Sequence, residues 1–224
     1  MFRNSLPSPI SHASFLSAPG LSALLLTLAS MPSPGATQSP EPADNHTAIP
    51  AEIRRTVASF HPDRVLYETP GEGLLWARGD RYKARFAPGD TQYIPFLGST
   101  APRNFPLAMH VVHASISGAE MAFDAQAAPT RSGDRVSYDR GTFIERYDLA
   151  LESMEQSFVF DTLPARGELV VRIAAESELA AHETDAALEF SNDLGSVRYG
   201  RATVIDAAGV SISAATTLTA QGIE

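Results

Sequence analysis

The chain has no cysteine, one lysine and one tryptophan in 224 residues. Without cysteine there are no disulfide staples, thiolate zinc sites, iron–sulfur clusters or thiol nucleophiles. The lysine is Lys83, every other basic side chain except histidine is arginine, and the formal net charge is −9. A basic footprint for nucleic acid is missing, and so is a polybasic membrane patch. The acidity serves solubility.

Long apolar runs are also lacking. The one strongly apolar stretch is Leu21–Ala29, too short for a span of roughly 20 residues, so no stable membrane span is expected. Arg3 precedes it, small residues follow it, and a Pro/Ser-rich tract comes next. That order describes a secretory signal peptide. Cleavage is expected after Ala29 or near Ala36, so residues 1–36 are read as leader and the protein as secreted or cell-surface. Removing Arg3 with the leader leaves 16 basic against 26 acidic side chains, a mature charge near −10.

Catalytic signatures are scarce. There is no G-x-S-x-G elbow; Ser117 and Ser132 precede glycines and read as turn serines. Gly71-Glu72-Gly73 leads into a strand rather than a helix, so it is no phosphate loop. Asp90, Asp134 and Asp139 sit in Gly-containing turns without a calcium-loop pattern. His110 and His113 lie three apart on a strand candidate, which predicts opposite faces and no shared metal. Glu145, Glu152 and Glu155 are close in sequence, and a carboxylate pair is the engine of glycoside hydrolysis. On sheet edges such carboxylates are solvated, and that is the reading here. No catalytic, cofactor-binding or metal residue is assigned, and no cofactor is expected.

What is present is alternation. Phe158/Phe160, Leu169/Val171/Ile173, Leu188/Phe190 and Val197/Tyr199 each recur with period two, which predicts antiparallel strands with one buried face. Turn residues separate them at 163–167, 191–195 and 206–209. Further strands are predicted from Leu74 onward: 74–77, 82–86, 93–97, 107–116 and 136–151, the last interrupted at Asp139-Arg140-Gly141. Residues 119–124 read as a short strand, 128–134 as a loop, 152–155 as a half turn, and 176–186 as strand or helical turn. Trp76, Tyr82, Phe86, Tyr93 and Phe96 form an aromatic set, read as core, with a sugar-binding platform as the alternative.

Between leader and domain, residues 37–48 are read as a disordered linker. Asn45-His46-Thr47 fits a glycosylation sequon. Ile53, Val57 and Phe60 share one stripe of a short helix over Ile49–Phe60, capped by Thr47 and closed by Pro62. Residues 49–224, about 175, make one β-rich domain or two small ones. The fold class predicted is an all-β antiparallel β-sandwich with one short N-terminal helix. At the end, Gln221-Gly222 reads as a turn with Ile223 opening a new apolar position. A turn needs a returning strand, so the polypeptide is expected to continue past Glu224.

Trp76-Ala77-Arg78-Gly79, Tyr82-Lys83-Ala84-Arg85-Phe86, Tyr93-Ile94-Pro95-Phe96-Leu97-Gly98 and Ala101-Pro102 follow in order. Glu145-Arg146-Tyr147, Glu155-Gln156-Ser157-Phe158, Leu163-Pro164, Leu188-Glu189-Phe190, Tyr199 and Asp206-Ala207-Ala208-Gly209 continue the series. This stretch resembles the N-terminal β-rich region of large exported bacterial proteins that carry downstream repeat modules, of β-propeller or FG-GAP-like type. The resemblance implies a non-enzymatic extracellular structural or adhesion module, and partners among such downstream modules or glycans. The alternatives are an accessory or pro-region of a secreted hydrolase and a carbohydrate-binding module.

Overall fold

The computed structural model describes residues 22–32, 63–71 and 73–224. The predicted helix over Ile49–Phe60, the linker and the sequon lie outside the described residues. Within them the chain is all-β, with no helix.

The strands run in chain order β1 (Ser22–Pro32), β2 (Leu66–Gly71), β3 (Leu74–Arg78), β4 (Tyr82–Ala87), β5 (Asp90–Pro95), β6 (Leu107–Ile116) and β7 (Ala119–Glu120). Next come β8 (Pro129–Ser132), β9 (Arg135–Asp139), β10 (Ile144–Leu149), β11 (Ser153–Phe160) and β12 (Leu169–Ser177). The last are β13 (Ala180–Glu183), β14 (Ala187–Asn192), β15 (Gly195–Gly200), β16 (Thr203–Ile205), β17 (Ser211–Ser213), β18 (Leu218–Thr219) and β19 (Gly222–Ile223). All pairings are antiparallel. The first sheet has the order β13-β14-β15-β1-β11-β10-β9-β8, with β16 joining β1 to β17. The second has the order β18-β19-β12-β6-β5-β4-β3-β2, with β7 on β6.

Alternation explains the strands. β10 and β15 bury every second residue, and Phe158, Phe160, Val171, Ile173, Leu188, Phe190 and Tyr199 are all buried. Leu169, at the start of β12, is half-buried. Buried side chains of both sheets form one core. Phe86 of the second sheet meets Tyr147 of the first edge to face at 5.4 Å. Fully burying one such ring is worth roughly 1.5–3 kcal/mol. Phe143, from the β9–β10 connection, packs on Phe158 and Phe160 at 5.9 and 5.2 Å.

Local chemistry sets the turns. Ser117 and Gly118 both have positive φ, 49° and 77°, the requirement of a tight primed hairpin turn. Ser117 tolerates it while its hydroxyl donates to the carbonyl of Arg166 at 2.8 Å. Gly89, in the β4–β5 turn, also has positive φ, and a Cβ there would strike the Ala125 carbonyl.

Residues 22–29 of the apolar run read as leader lie in β1, inside the first sheet. Its Leu24, Leu26 and Leu28 are the Cα partners of Phe158, Gln156 and Met154. A short uncharged apolar run carries the same pattern whether it is a leader or an interior strand. Residues 176–186 are the end of β12 and β13, not a helical turn: cross-strand partners in β6 and β14 outweigh local helix propensity. β8 occupies part of the predicted loop 128–134, and β2 precedes Leu74, where no strand was expected. Both are mostly exposed, so neither shows an apolar alternation. At the C-terminal end the Gln221-Gly222 turn already has its returning strand. β19 comes back along β18 and docks on β12, opposite Ile173, burying Ile223.

Candidate functional site

The largest concentration of buried polar groups lies in the first sheet. Arg140 leaves the end of β9 in the tight Asp139–Gly141 turn, where the Asp139 carboxylate accepts from the Gly141 N–H at 3.0 Å. Glu145 follows on β10, on the face that alternation turns inward. Arg140 and Glu145 are each 1% exposed. Arg140 Nε and Nη2 donate to Glu145 Oε2 at 2.8 and 2.6 Å, and Nη1 donates to the Asp124 carbonyl at 2.9 Å.

The other carboxylate oxygen is equally occupied. Glu145 Oε1 accepts from the Tyr147 hydroxyl at 2.6 Å and from Gln156 Nε2 at 2.8 Å. Gln156 Oε1 in turn accepts from the Tyr199 hydroxyl at 2.8 Å. The chain of contacts therefore crosses from β10 to β11 to β15. The Tyr138 ring faces the Arg140 guanidinium at 5.2 Å. Its hydroxyl donates to the Asp90 carbonyl at 3.0 Å and shares a 3.0 Å contact with the Thr91 hydroxyl, which ties the network to β5 of the second sheet.

Burial pushes the phenols of Tyr147 and Tyr199 well above their ordinary range, and the Glu145 carboxylate adds to the effect. Burial raises Tyr138 and Tyr82 likewise. These tyrosines remain protonated donors. Among the described residues no buried side-chain nitrogen or oxygen lacks a partner. A satisfied, sealed network of this kind fixes geometry: each lone pair of Glu145 that would serve as a base is already filled.

Beside it lies an open cleft of about 810 Å³, between β7, the β9–β10 turn and the segment after β11. Its rim carries Glu120, Asp139, Asp161 and Thr142; Met121 and Phe143 line its apolar part.

The predicted carboxylate trio separates. Glu145 is internal rather than solvated, because Arg140 supplies the opposite charge that makes its burial tolerable. Glu152 is exposed in the β10–β11 turn. Glu155 is half-exposed beside Asp148, which Arg135 grips with two hydrogen bonds of 2.7 and 3.0 Å. Partial desolvation and Asp148 raise its pKa, against Arg135. Sequence reasoning missed Arg140 because it looked like a turn residue. The signal available was an Arg five positions before a Glu that alternation assigns to the inner face.

The histidine pair corrects the period-two rule. Arg172 pairs with His113 but Ile173 pairs with Val111, so Val112 is an extra residue in β6. This β-bulge shifts the alternation by one. His113 and His110 now stand opposite Arg172 and Ala174, two positions on the same face of β12. Among the described residues no group of three or more His, Asp or Glu side chains is placed to hold a metal.

The aromatic set also divides. Tyr82, Phe86 and Tyr93 are fully buried, and Tyr82 and Tyr93 stack at 5.0 Å. Trp76 and Phe96 are half-buried, with Arg78 and Lys83 beside the Phe96 ring at 5.7 and 5.9 Å. Asp90 pairs with Arg85 at 2.8 Å and Asp134 accepts from the Tyr67 hydroxyl at 2.9 Å.

Set against protein-family models, curated proteins and solved structures, the chain matches none.

Proposed function

We propose that this chain is a non-enzymatic structural or adhesion module of a secreted or surface protein, its two antiparallel sheets stacked as a β-sandwich. The observation that carries this reading is the Arg140–Glu145–Gln156–Tyr199 network. Its strongest polar groups are spent on one another, deep in the core, and tie three strands together. A catalytic carboxylate needs a route to a substrate and a free lone pair. Glu145 has neither. The resemblance to the front of exported proteins with repeat modules supports the same reading, with those modules as neighbours in a longer chain. The glycan-binding alternative is weaker than the sequence suggests, since three of its five aromatics are core.

Protease shaving of intact cells that make the full chain tests the location, and attachment of those cells compared with cells lacking it tests the role. Cleavage of the chain at the cell surface, and reduced attachment without it, are expected. A chain protected inside intact cells overturns the extracellular reading. Turnover of an ester, glycoside or peptide that Glu145→Gln abolishes, while the fold survives, overturns the non-enzymatic one.

A further inference from the structure

The first sheet is joined at its middle by a single strand. β1 pairs with β11 from Ser22 to Ala29, with β15 from Leu28 to Pro32 and with β16 from Ala23 to Leu25. Among the described residues, β11 pairs with neither β15 nor β16. Without β1 the sheet divides between the β8–β11 group and the β13–β15 group, and β16–β17 lose their attachment to both.

The walls of this slot have a second tie. Tyr199 of β15 donates to Gln156 of β11 across it at 2.8 Å, and Gln156 is itself held by Glu145 and Tyr147. The register sets Leu26 opposite Gln156, and Leu28 opposite both Met154 and Tyr199. The side-chain tie therefore crosses the slot near the middle of the strand. It holds β11 and β15 one strand apart.

The strand filling the slot has the sequence SALLLTLASMP, without a charge. Its residues 22–29 belong to the apolar part of the predicted leader. A leader removed near Ala36 takes the whole strand with it, and one removed after Ala29 leaves only Ser30–Pro32 beside β15. The walls left behind carry unpaired backbone groups and buried Met154, Phe158, Phe160, Val197 and Tyr199. Such an edge requires a partner. The strand-forming runs from residue 63 onward are already engaged in the two sheets, and 37–48 is rich in proline and acid.

We propose that the slot between β11 and β15 is a strand-binding site. After export it receives an extended segment of another polypeptide, running antiparallel to β11. The segment is uncharged, about ten residues long, with apolar residues at alternate positions. Main-chain hydrogen bonds supply affinity, and the alternate side-chain positions supply selectivity. This inference rests on the export reading above.

The test uses the full chain, exported from its own start and recovered outside the cell. N-terminal sequencing comes first, then hydrogen exchange with and without a synthetic peptide of the Ser22–Pro32 sequence. A start at Ser30 or later is expected, with exposed amides in 153–160 and 195–200. The peptide should slow their exchange roughly tenfold or more. A peptide carrying Leu24→Asp, Leu26→Asp and Leu28→Asp should not. If the processed chain is unfolded alone, the first peptide should restore its near-ultraviolet circular dichroism. An exported chain that keeps residues 22–32 leaves export standing and overturns strand donation. So do amides already protected without peptide, or a peptide that neither slows exchange nor restores the fold. A chain confined to the cytoplasm overturns export and donation together.

Discussion

Arg140 and Glu145 show how a charge is kept inside this protein. Each is 1% exposed, and each is unaffordable alone. Glu145→Ala leaves the guanidinium buried without its counter-charge and should cost roughly 3–5 kcal/mol. The double replacement Arg140→Met with Glu145→Leu should be milder than either single change, since well-packed apolar residues commonly match a buried pair. Urea denaturation of the parent, Arg140→Met, Glu145→Leu and the double variant checks this; a double variant less stable than both singles would refute it. Phe158→Ala, at a fully buried position against Phe143, should cost a similar amount, roughly 3–5 kcal/mol, through transfer and cavity terms.

At the scale of the element, two features depart from plain alternation. The β6 bulge places Val112 outside, 47% exposed, while Val111 beside it is 3% exposed. Val112→Lys should therefore shift stability by no more than about 0.5 kcal/mol. Val111→Lys buries an unpaired charge and should unfold the domain, and thermal melts of the two separate the cases. At the start of β19 Gly222 has φ of 136°, and a Cβ there would meet the carbonyl of Ile173. Gly222→Ala should destabilise by more than about 1 kcal/mol and loosen the Ile223 contact, seen as faster exchange of the β12 amides at 173–175.

The whole molecule should respond to alkali as a unit. Tyr82, Tyr138, Tyr147 and Tyr199 have phenol pKa values raised by burial. An unfolded tyrosine ionises near about 10. Below that pH both states hold the proton and the full stability is present. Above it the unfolded chain releases protons that the native chain keeps, so stability falls as pH rises toward the folded values. Tyrosinate absorbance should stay low for these four until a cooperative unfolding step above about pH 10. Stepwise ionisation of a folded protein would contradict the sealed core. The sheet joint gives a second test on the full chain. Leu26→Pro removes a ladder donor in the middle of β1. Exchange should then rise first in β16 and β17, which reach the sheet through β1, and last in β8–β10.

The sequence by itself determined the class of structure. Period two at Phe158/Phe160, Leu188/Phe190 and Val197/Tyr199, with turn residues between, admits strands with one buried face, because side chains alternate on a pleat whatever the neighbours are. It also determined the chemistry excluded by the absence of cysteine. Only the tertiary structure decided the partners. Whether Glu145 faces water or Arg140 depends on which strand lies over it. Whether His110 and His113 share a face depends on one unpaired residue in β6, invisible until β12 fixes the register. The apolar run at Leu21–Ala29 is the sharpest case. Its pattern fits a leader and an interior strand equally, because both need a short uncharged apolar segment; its pairing with β11 and β15 is seen only in the fold.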